Sequence, residues 1–116
     1  MSKKRRDKDY LSDIQEAIRR IIAYTENLTA DGFMGDHKTQ DAVIRNLEVI
    51  GEATKNLSSS LRKKYPQIPW KDLAGVRDKL IHHYFGINDE IVWKIVEEQL
   101  PTLLPQIDEV LVNEIE

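Results

Sequence analysis

The chain has 116 residues, of which 41% are hydrophobic and 32% charged, and its formal net charge is −3. This length allows one domain built around a single core. Because the sequence contains no cysteine, a disulfide framework and a thiolate metal site are excluded. No apolar run approaches the about 20 residues of a membrane-spanning helix, and no signal peptide follows the basic start. We therefore expect a cytoplasmic protein that is not bound to a membrane.

Charge is distributed unevenly along the chain. Residues 1–8 form a basic N-terminal arm, and we assign residues 9–116 to a single helical domain. The arm is interpreted either as a solvated tail or as a contact for RNA or an acidic partner. The negative net charge is unusual for a dedicated nucleic-acid-binding protein, but an enzyme that contacts RNA at one cleft needs no basic surplus.

The first half of the chain shows helical periodicity. Apolar residues recur at steps of three and four over Asp9–Leu28, which predicts an amphipathic helix. The glycines of residues 31–35 predict a loop that carries Phe33. A second helix is predicted over Thr39–Leu57, and Gly51 inside it indicates the close approach of a neighbouring helix, since glycine costs about 1 kcal/mol there.

The middle of the chain contains a structured connector. Ser58 and its two serine neighbours either end the second helix or cap a short one that runs to Lys64. Two prolines make Tyr65–Pro69 a non-helical connector. A third long helix is predicted over Trp70–Phe85, and Gly86 is expected to stop it.

The last part of the chain predicts two more helices. Asn88 is suited to cap a helix that carries apolar residues through Val96. Pro101 is expected to end or kink it, and a final helix is predicted over Pro101–Asn113. Because no useful β-alternation occurs, the predicted fold is an all-α up-and-down bundle of four to five helices.

The segment Arg77-Asp78-Lys79-Leu80-Ile81-His82-His83-Tyr84 brings together the residues that could carry chemistry. Arg77 is always charged, His82 titrates near neutral pH, and Tyr84 supplies a phenol. An arginine can stabilise developing phosphate charge while a histidine transfers a proton, which suffices for metal-free cleavage of RNA. Within one helix Arg77 and His82 lie about 140° apart, so a site shared by two copies is more plausible than a monomeric one.

Simpler roles are open for the same residues. His82 and His83 point about 100° apart on a helix, and with Asp78 as the nearest carboxylate they fall short of the three or four ligands of a metal site. We therefore predict no metal. Arg77 could form a structural salt bridge with Asp78 or Glu52, and Tyr84 could be a core aromatic residue. His37, alone near a loop, is expected to face solvent.

The pattern Arg-x4-His-x-Tyr resembles the signature of HepT-like toxins of the HEPN ribonuclease superfamily. Four further segments are similar to the same family, and together they extend the resemblance over residues 10–112. They are Ala42-Val43-Ile44-Arg45-Asn46-Leu47-Glu48-Val49-Ile50-Gly51-Glu52-Ala53, Ile68-Pro69-Trp70-Lys71-Asp72-Leu73-Ala74-Gly75-Val76-Arg77-Asp78, Tyr84-Phe85-Gly86-Ile87 and Ile91-Val92-Trp93.

The resemblance implies a toxin that is a metal-independent endoribonuclease without a cofactor. Arg77 and His82 would be the catalytic pair, and Asp78 the polar residue that supports them, with Glu52 and His83 as further supporting candidates. The resemblance also implies a homodimer around the motif helix, with RNA as substrate. An MntA-like minimal nucleotidyltransferase would be the antitoxin, and it would neutralise the toxin by transferring AMP to Tyr84.

Two alternatives stay open. The chain could be a non-catalytic helical partner of a nucleotidyltransferase, in which case His82 would be dispensable. It could also be a family member that keeps the fold and has lost its activity.

Overall fold

The structure is a computed structural model that describes residues 5–76, 78 and 88–114. Throughout these ranges the regular elements are helical, which confirms the all-α prediction for this part of the chain. In chain order they are α1 (Asp7–Thr25), α2 (Ala30–Met34), α3 (His37–Lys55), α4 (Ser59–Lys64), α5 (Trp70–Ala74), α6 (Asp89–Lys94), a π-helical segment (Ile95–Gln99) and α7 (Leu100–Glu114). Within the described ranges, no helix combines the length and apolar character that crossing a membrane requires.

Helix α1 lies at the centre and packs against α3 on one side and α7 on the other. Its apolar stripe is fully buried, as the periodicity predicts, and consists of Leu11, Ile14, Ile18 and Ile21. The start of α1 contacts the chain just after α3, because Asp7 accepts hydrogen bonds from Ser58. Neighbouring long helices are therefore antiparallel, in agreement with an up-and-down bundle.

The prediction of a loop over residues 31–35 is wrong, since most of this stretch forms the short helix α2. Thr29 caps it by accepting a hydrogen bond from the backbone N–H of Gly32 at 3.1 Å. Phe33 is fully buried, and the Gln40 side chain donates to the backbone oxygens of Phe33 (2.8 Å) and Met34 (2.9 Å). A cap and a buried aromatic ring thus outweigh the low helix propensity of glycine.

The predicted long helix over Trp70–Phe85 is interrupted. Ser58 caps α4 as expected, and the connector Tyr65–Pro69 is not helical. Helix α5 then ends at Ala74, where the N–H of Gly75 bonds to Lys71 O at 3.1 Å. The backbone is helical again at Val76 and Asp78, while the predicted stop at Gly86 lies outside the described residues.

The last helices form one continuous helical path. Asn88 caps α6 as predicted, because its Oδ1 accepts from the N–H groups of Glu90 (3.0 Å) and Ile91 (3.2 Å). Pro101 does not end the path, which passes through the π-helical segment into α7. Because proline has no N–H, the α-helical bond at position 101 cannot form, and the wider turn lies directly before it.

Candidate active site

The predicted site residues Arg77, His82, His83 and Tyr84 lie outside the described residues, and their roles stay predictions. The structure describes both flanks of the segment that carries them. Val76 and Asp78 are helical and stand on either side of Arg77, while Asn88 follows the segment.

The first flank, which consists of α5 and the residues that follow it to Val76, is packed tightly on α3 at Gly51. A Cβ atom at Gly51 would lie 3.3 Å from Val76 Cγ1, 3.4 Å from Leu73 O and 3.6 Å from Ala74 O. The absence of a Cβ atom at Gly51 thus eases this close approach, which confirms the prediction that a neighbouring helix packs closely here. Because Val76 directly precedes Arg77, the contact fixes the backbone immediately before the first predicted catalytic residue.

Trp70 holds the start of α5 in place. Its ring is buried, and its Nε1–H donates to the backbone oxygen of Tyr65 at 2.9 Å. Ile68 is also buried, and its backbone oxygen accepts from the N–H of Trp70 at 2.8 Å. The proline-containing connector is therefore folded back on α5, and it leads the chain into α5 in one defined direction.

Tyr65 also links the connector to the end of α7. Its hydroxyl donates to Glu114 Oε2 at 2.5 Å, and Lys64 Nζ contacts the same oxygen at 2.7 Å. The hydrogen bonds from Lys64 and then from Tyr65 lower the pKa of Glu114. The bond to Glu114, aided by burial, raises the pKa of Tyr65. At neutral pH a carboxylate and a neutral phenol thus hold the connector against α7.

The second flank, which consists of Asn88 and α6, is also held in place. Asn88 caps this helix, Val92 is fully buried, and Trp93 packs on Phe33 of α2 with ring centroids 5.1 Å apart. Both described flanks of the motif segment are therefore held by the helical core. Firm flanks matter to a catalytic segment, because misplacement of a catalytic group by about 1 Å can cost a hundredfold in rate.

The described polar candidates are accessible to solvent. Asp78 and Glu52 are exposed, and neither is placed by the structure against a described cation. His37 begins α3 and is exposed, as predicted. Across residues 5–76, 78 and 88–114, no cluster of three or more His, Asp or Glu side chains is arranged to hold a metal ion.

A cavity of about 430 Å³ lies between α3, α5 and α7, beside the first flank. Its floor is apolar and includes Ile50, Leu73 and Val76, whereas its rim carries exposed polar groups such as Asp72 and Glu98. The sequence analysis did not predict this cavity. The feature of the sequence that could have indicated it is a polar stripe at four-residue spacing on the last helical path, formed by Glu98, Thr102 and Gln106.

Comparison with known proteins assigns most of the chain to one family. The family model described as "Ribonuclease HepT-like" matches residues 14–110. The "Putative RNase MJ0127" of Methanocaldococcus jannaschii is 55% identical over 88% of this chain and 84% of its own length. The "Probable ribonuclease HepT" of Thermococcus cleftensis is 50% identical over 86% of this chain and 91% of its own.

A third relative matches at lower identity over a similar range. The "Putative RNase TTE0752" of Caldanaerobacter subterraneus subsp. tengcongensis is 40% identical over 90% of this chain and 94% of its own length. No solved structure matches the chain significantly. The range that the family model matches contains the motif segment together with both of its flanks. The chain therefore belongs to the HepT-like ribonuclease family.

Proposed function

We propose that the chain is a metal-independent endoribonuclease and the toxin of a toxin–antitoxin pair. The observation that carries this proposal is the Arg77-x4-His82 spacing within the range that matches the HepT-like family. The fixed flanks support it, since Val76 packs on α3 and Asn88 caps α6. A segment held at both ends is suited to present charged groups in a defined geometry.

The reaction begins with attack of an RNA 2′-hydroxyl on the neighbouring phosphate. His82 takes the proton of that hydroxyl, and Arg77 stabilises the additional negative charge on the phosphate oxygens. The bond from phosphorus to the 5′-oxygen then breaks, and the leaving oxygen takes up a proton. The products are a 2′,3′-cyclic phosphate and a 5′-hydroxyl, and no metal ion participates.

The site is formed by two copies of the chain. On a helix, Arg77 and His82 lie about 140° apart, so a single copy orients them poorly towards one phosphate. Near a two-fold axis, Arg77 of one protomer can face His82 of its partner. This arrangement predicts that a mixture of Arg77→Ala and His82→Ala proteins regains activity, because the mixed dimer contains one complete site. A mixture as inactive as each variant alone contradicts a shared site.

A ribonuclease assay in the presence of EDTA tests the catalytic assignment. His82→Ala is expected to lower the cleavage rate by about 10²–10⁴-fold, the usual contribution of general acid–base catalysis. His37→Ala is the matched control, since His37 is an exposed histidine at the start of α3. Far-UV circular dichroism shows that each variant is folded. Unchanged cleavage in Arg77→Ala removes that residue from the mechanism.

Tyr84 is the site at which the activity is switched off. A nucleotidyltransferase joins the Tyr84 hydroxyl oxygen to the α-phosphorus of ATP, pyrophosphate leaves, and the phenol proton passes to solvent. Residues seven apart, as Arg77 and Tyr84 are in the sequence, share one face if the segment between them is helical. The added AMP therefore places bulk and negative charge where substrate phosphate would bind.

Mass analysis after incubation with a minimal nucleotidyltransferase and ATP tests this regulation. We expect one AMP adduct, on the peptide that carries Tyr84, and none on Tyr84→Phe. Tyr24→Phe is the control, because the Tyr24 side chain is 44% exposed and offers an accessible phenol elsewhere. A stable complex without an adduct, together with an absence of RNA cleavage, favours the non-catalytic binding partner instead.

A further inference from the structure

One end of the helical bundle collects basic side chains from three separate elements. Asp7 joins them, since its carboxylate accepts from Ser58 N at 2.9 Å and from Ser58 Oγ at 2.5 Å. The start of α1 is thereby held beside the start of α4. Lys55, the last residue of α3, is three positions before Ser58 and reaches the same end of the bundle.

Two carboxylates at this end bond to uncharged groups rather than to the neighbouring cations. Asp7 accepts from the backbone N–H and the hydroxyl of Ser58, and Asp9 accepts from Arg6 N at 2.9 Å. That backbone bond lowers the pKa of Asp9, and the positive charges of Arg5, Arg6 and Lys8 lower it further. Asp7 and Asp9 thus stabilise the fold without forming a salt bridge to Arg6 or Lys8.

Two basic residues here have partners of their own. Arg5 pairs with Asp13 at 2.9 Å, and Lys64 pairs with Glu114 at 2.7 Å. Five others form no salt bridge with any carboxylate of the described residues, and we call them the basic end. The basic end consists of Arg6, Lys8, Lys55, Arg62 and Lys63, all exposed apart from the half-buried Arg62.

The opposite end of the bundle has the reverse charge. It contains α2, the start of α3, α6 and the start of the π-helical segment, and its acidic residues include Asp31, Asp36, Asp89, Glu90 and Glu97. Lys38 and Lys94 are the exposed lysines of these elements. A polyanion would therefore be attracted to one end of the molecule and repelled by the other, although the whole chain is acidic.

The basic end begins close to the described flank that precedes the motif. Gly51 contacts Leu73, Ala74 and Val76, and Lys55 is four residues further along α3, which places it one turn away on the same helical face. Arg62 lies about 6 Å beyond Ser58 along α4, at 1.5 Å per residue. The cations thus continue outward from the flank of the predicted catalytic segment.

We propose that the basic end binds the sugar–phosphate backbone of the RNA substrate outside the cleavage site. This inference rests on the proposed ribonuclease function and extends it by naming where the rest of the strand lies. Unpaired lysine and arginine side chains contact phosphate without reading sequence. Binding would therefore be strongly dependent on salt and would favour RNA long enough to reach from the motif to α4.

Salt-dependent binding of a 2′-O-methylated single-stranded RNA tests the proposal with an intact chain, since the methyl group prevents attack by the 2′-oxygen. In Arg62→Gln/Lys63→Gln we expect weaker binding. The slope of log Kd against log salt should fall by about 0.7 per lost phosphate contact, or about 1.4 for the pair. Lys38→Gln/Lys94→Gln removes the same charge from the acidic end and should leave the slope unchanged.

An equal loss in both double variants would mean a general charge effect and would overturn the proposal. Lys55→Gln gives an independent measurement outside α4, with an expected slope change of about 0.7. If the substituted chains bind RNA normally but no longer bind the nucleotidyltransferase, the basic end contacts an acidic protein and the RNA proposal is wrong.

Cleavage assays separate this proposal from the ribonuclease assignment. A dinucleoside monophosphate has one phosphate, which the cleavage site occupies, so it leaves none for the basic end to bind. Arg62→Gln/Lys63→Gln should therefore cleave it at the rate of the unaltered chain, while KM rises for a longer RNA. An unaltered chain that cuts neither substrate refutes the ribonuclease function. Normal KM for the longer RNA in the double variant refutes only the role of the basic end.

Discussion

The two faces of α5 differ in how closely they are packed. Towards α3, Gly51 allows the backbone oxygens of Leu73 and Ala74 and the side chain of Val76 to approach closely. Towards α7 lies a cavity of about 430 Å³ with a polar, solvent-accessible rim. The position of α5 and Val76 is therefore set mainly from α3, and the side of α5 that faces α7 has room for changes in side-chain size.

Gly51→Leu is expected to have the largest effect on this packing. A leucine side chain cannot fit against Val76 and the α5 carbonyl oxygens, and overpacking typically costs about 1–3 kcal/mol of the free energy of unfolding. Displacement of Val76 also moves the backbone before Arg77, so RNA cleavage should fall with stability. Chemical denaturation and a ribonuclease assay measure the two effects.

Two companion variants sharpen the result. Gly51→Ala adds a single methyl group at 3.3 Å from Val76 Cγ1, while alanine favours the helix by about 1 kcal/mol over glycine, so a small net change is expected. Arg45→Leu places leucine on an exposed site of α3 and controls for the residue type. If Gly51→Leu is as stable as Arg45→Leu, α5 is not fixed by the contact at Gly51.

Tyr65→Phe tests a contact that holds the connector from the α7 side. Loss of the hydrogen bond to Glu114 should cost about 1 kcal/mol near neutral pH. Because the folded protein lowers the pKa of Glu114, the stabilisation is present above its ordinary value of 4.5 and is lost as the pH falls through the lowered pKa. The difference in Tm between Tyr65→Phe and the unaltered chain should therefore shrink in acid.

Alkaline pH gives the complementary test. The folded protein raises the pKa of Tyr65, so the stabilisation is present below its ordinary value of 10.0 and is lost as the pH rises through the raised pKa. Tyr24→Phe controls for removal of a hydroxyl from an exposed ring. A difference in Tm for Tyr65→Phe that stays constant from acid to alkaline pH would contradict the role of Glu114.

The features that were predictable from sequence are local ones. The buried stripe of α1 follows from residue spacing, and the caps at Ser58 and Asn88 follow from side chains that bond to the next turn. The close approach at Gly51 was also predictable, because a glycine inside an amphipathic helix needs a packing reason. For the site, the sequence indicates Asp78 and Glu52 as candidates, and the structure adds that both are exposed.

The features that were missed depend on contacts between elements. Gly75 ends α5, but a lone glycine in a helical pattern costs only about 1 kcal/mol and does not by itself predict a break. The helical path through Pro101 needs a π-helical turn, which residue spacing does not reveal. The cavity depends on the separation of α5 and α7, a distance that no single segment of the sequence encodes.

Thr102→Leu should have the smallest effect, and it completes the comparison of the two faces. Thr102 is exposed on the rim of the cavity, where the added side chain has room to lie over the apolar floor. The free energy of unfolding should change by less than about 0.5 kcal/mol, as for most surface substitutions, and cleavage should be retained. Gly51→Leu and Thr102→Leu thus introduce the same side chain on opposite sides of α5, and denaturation midpoints compare them directly. Equal destabilisation by the two leucines would mean that the cavity is closed when the protein is in solution and that α5 is held from both sides.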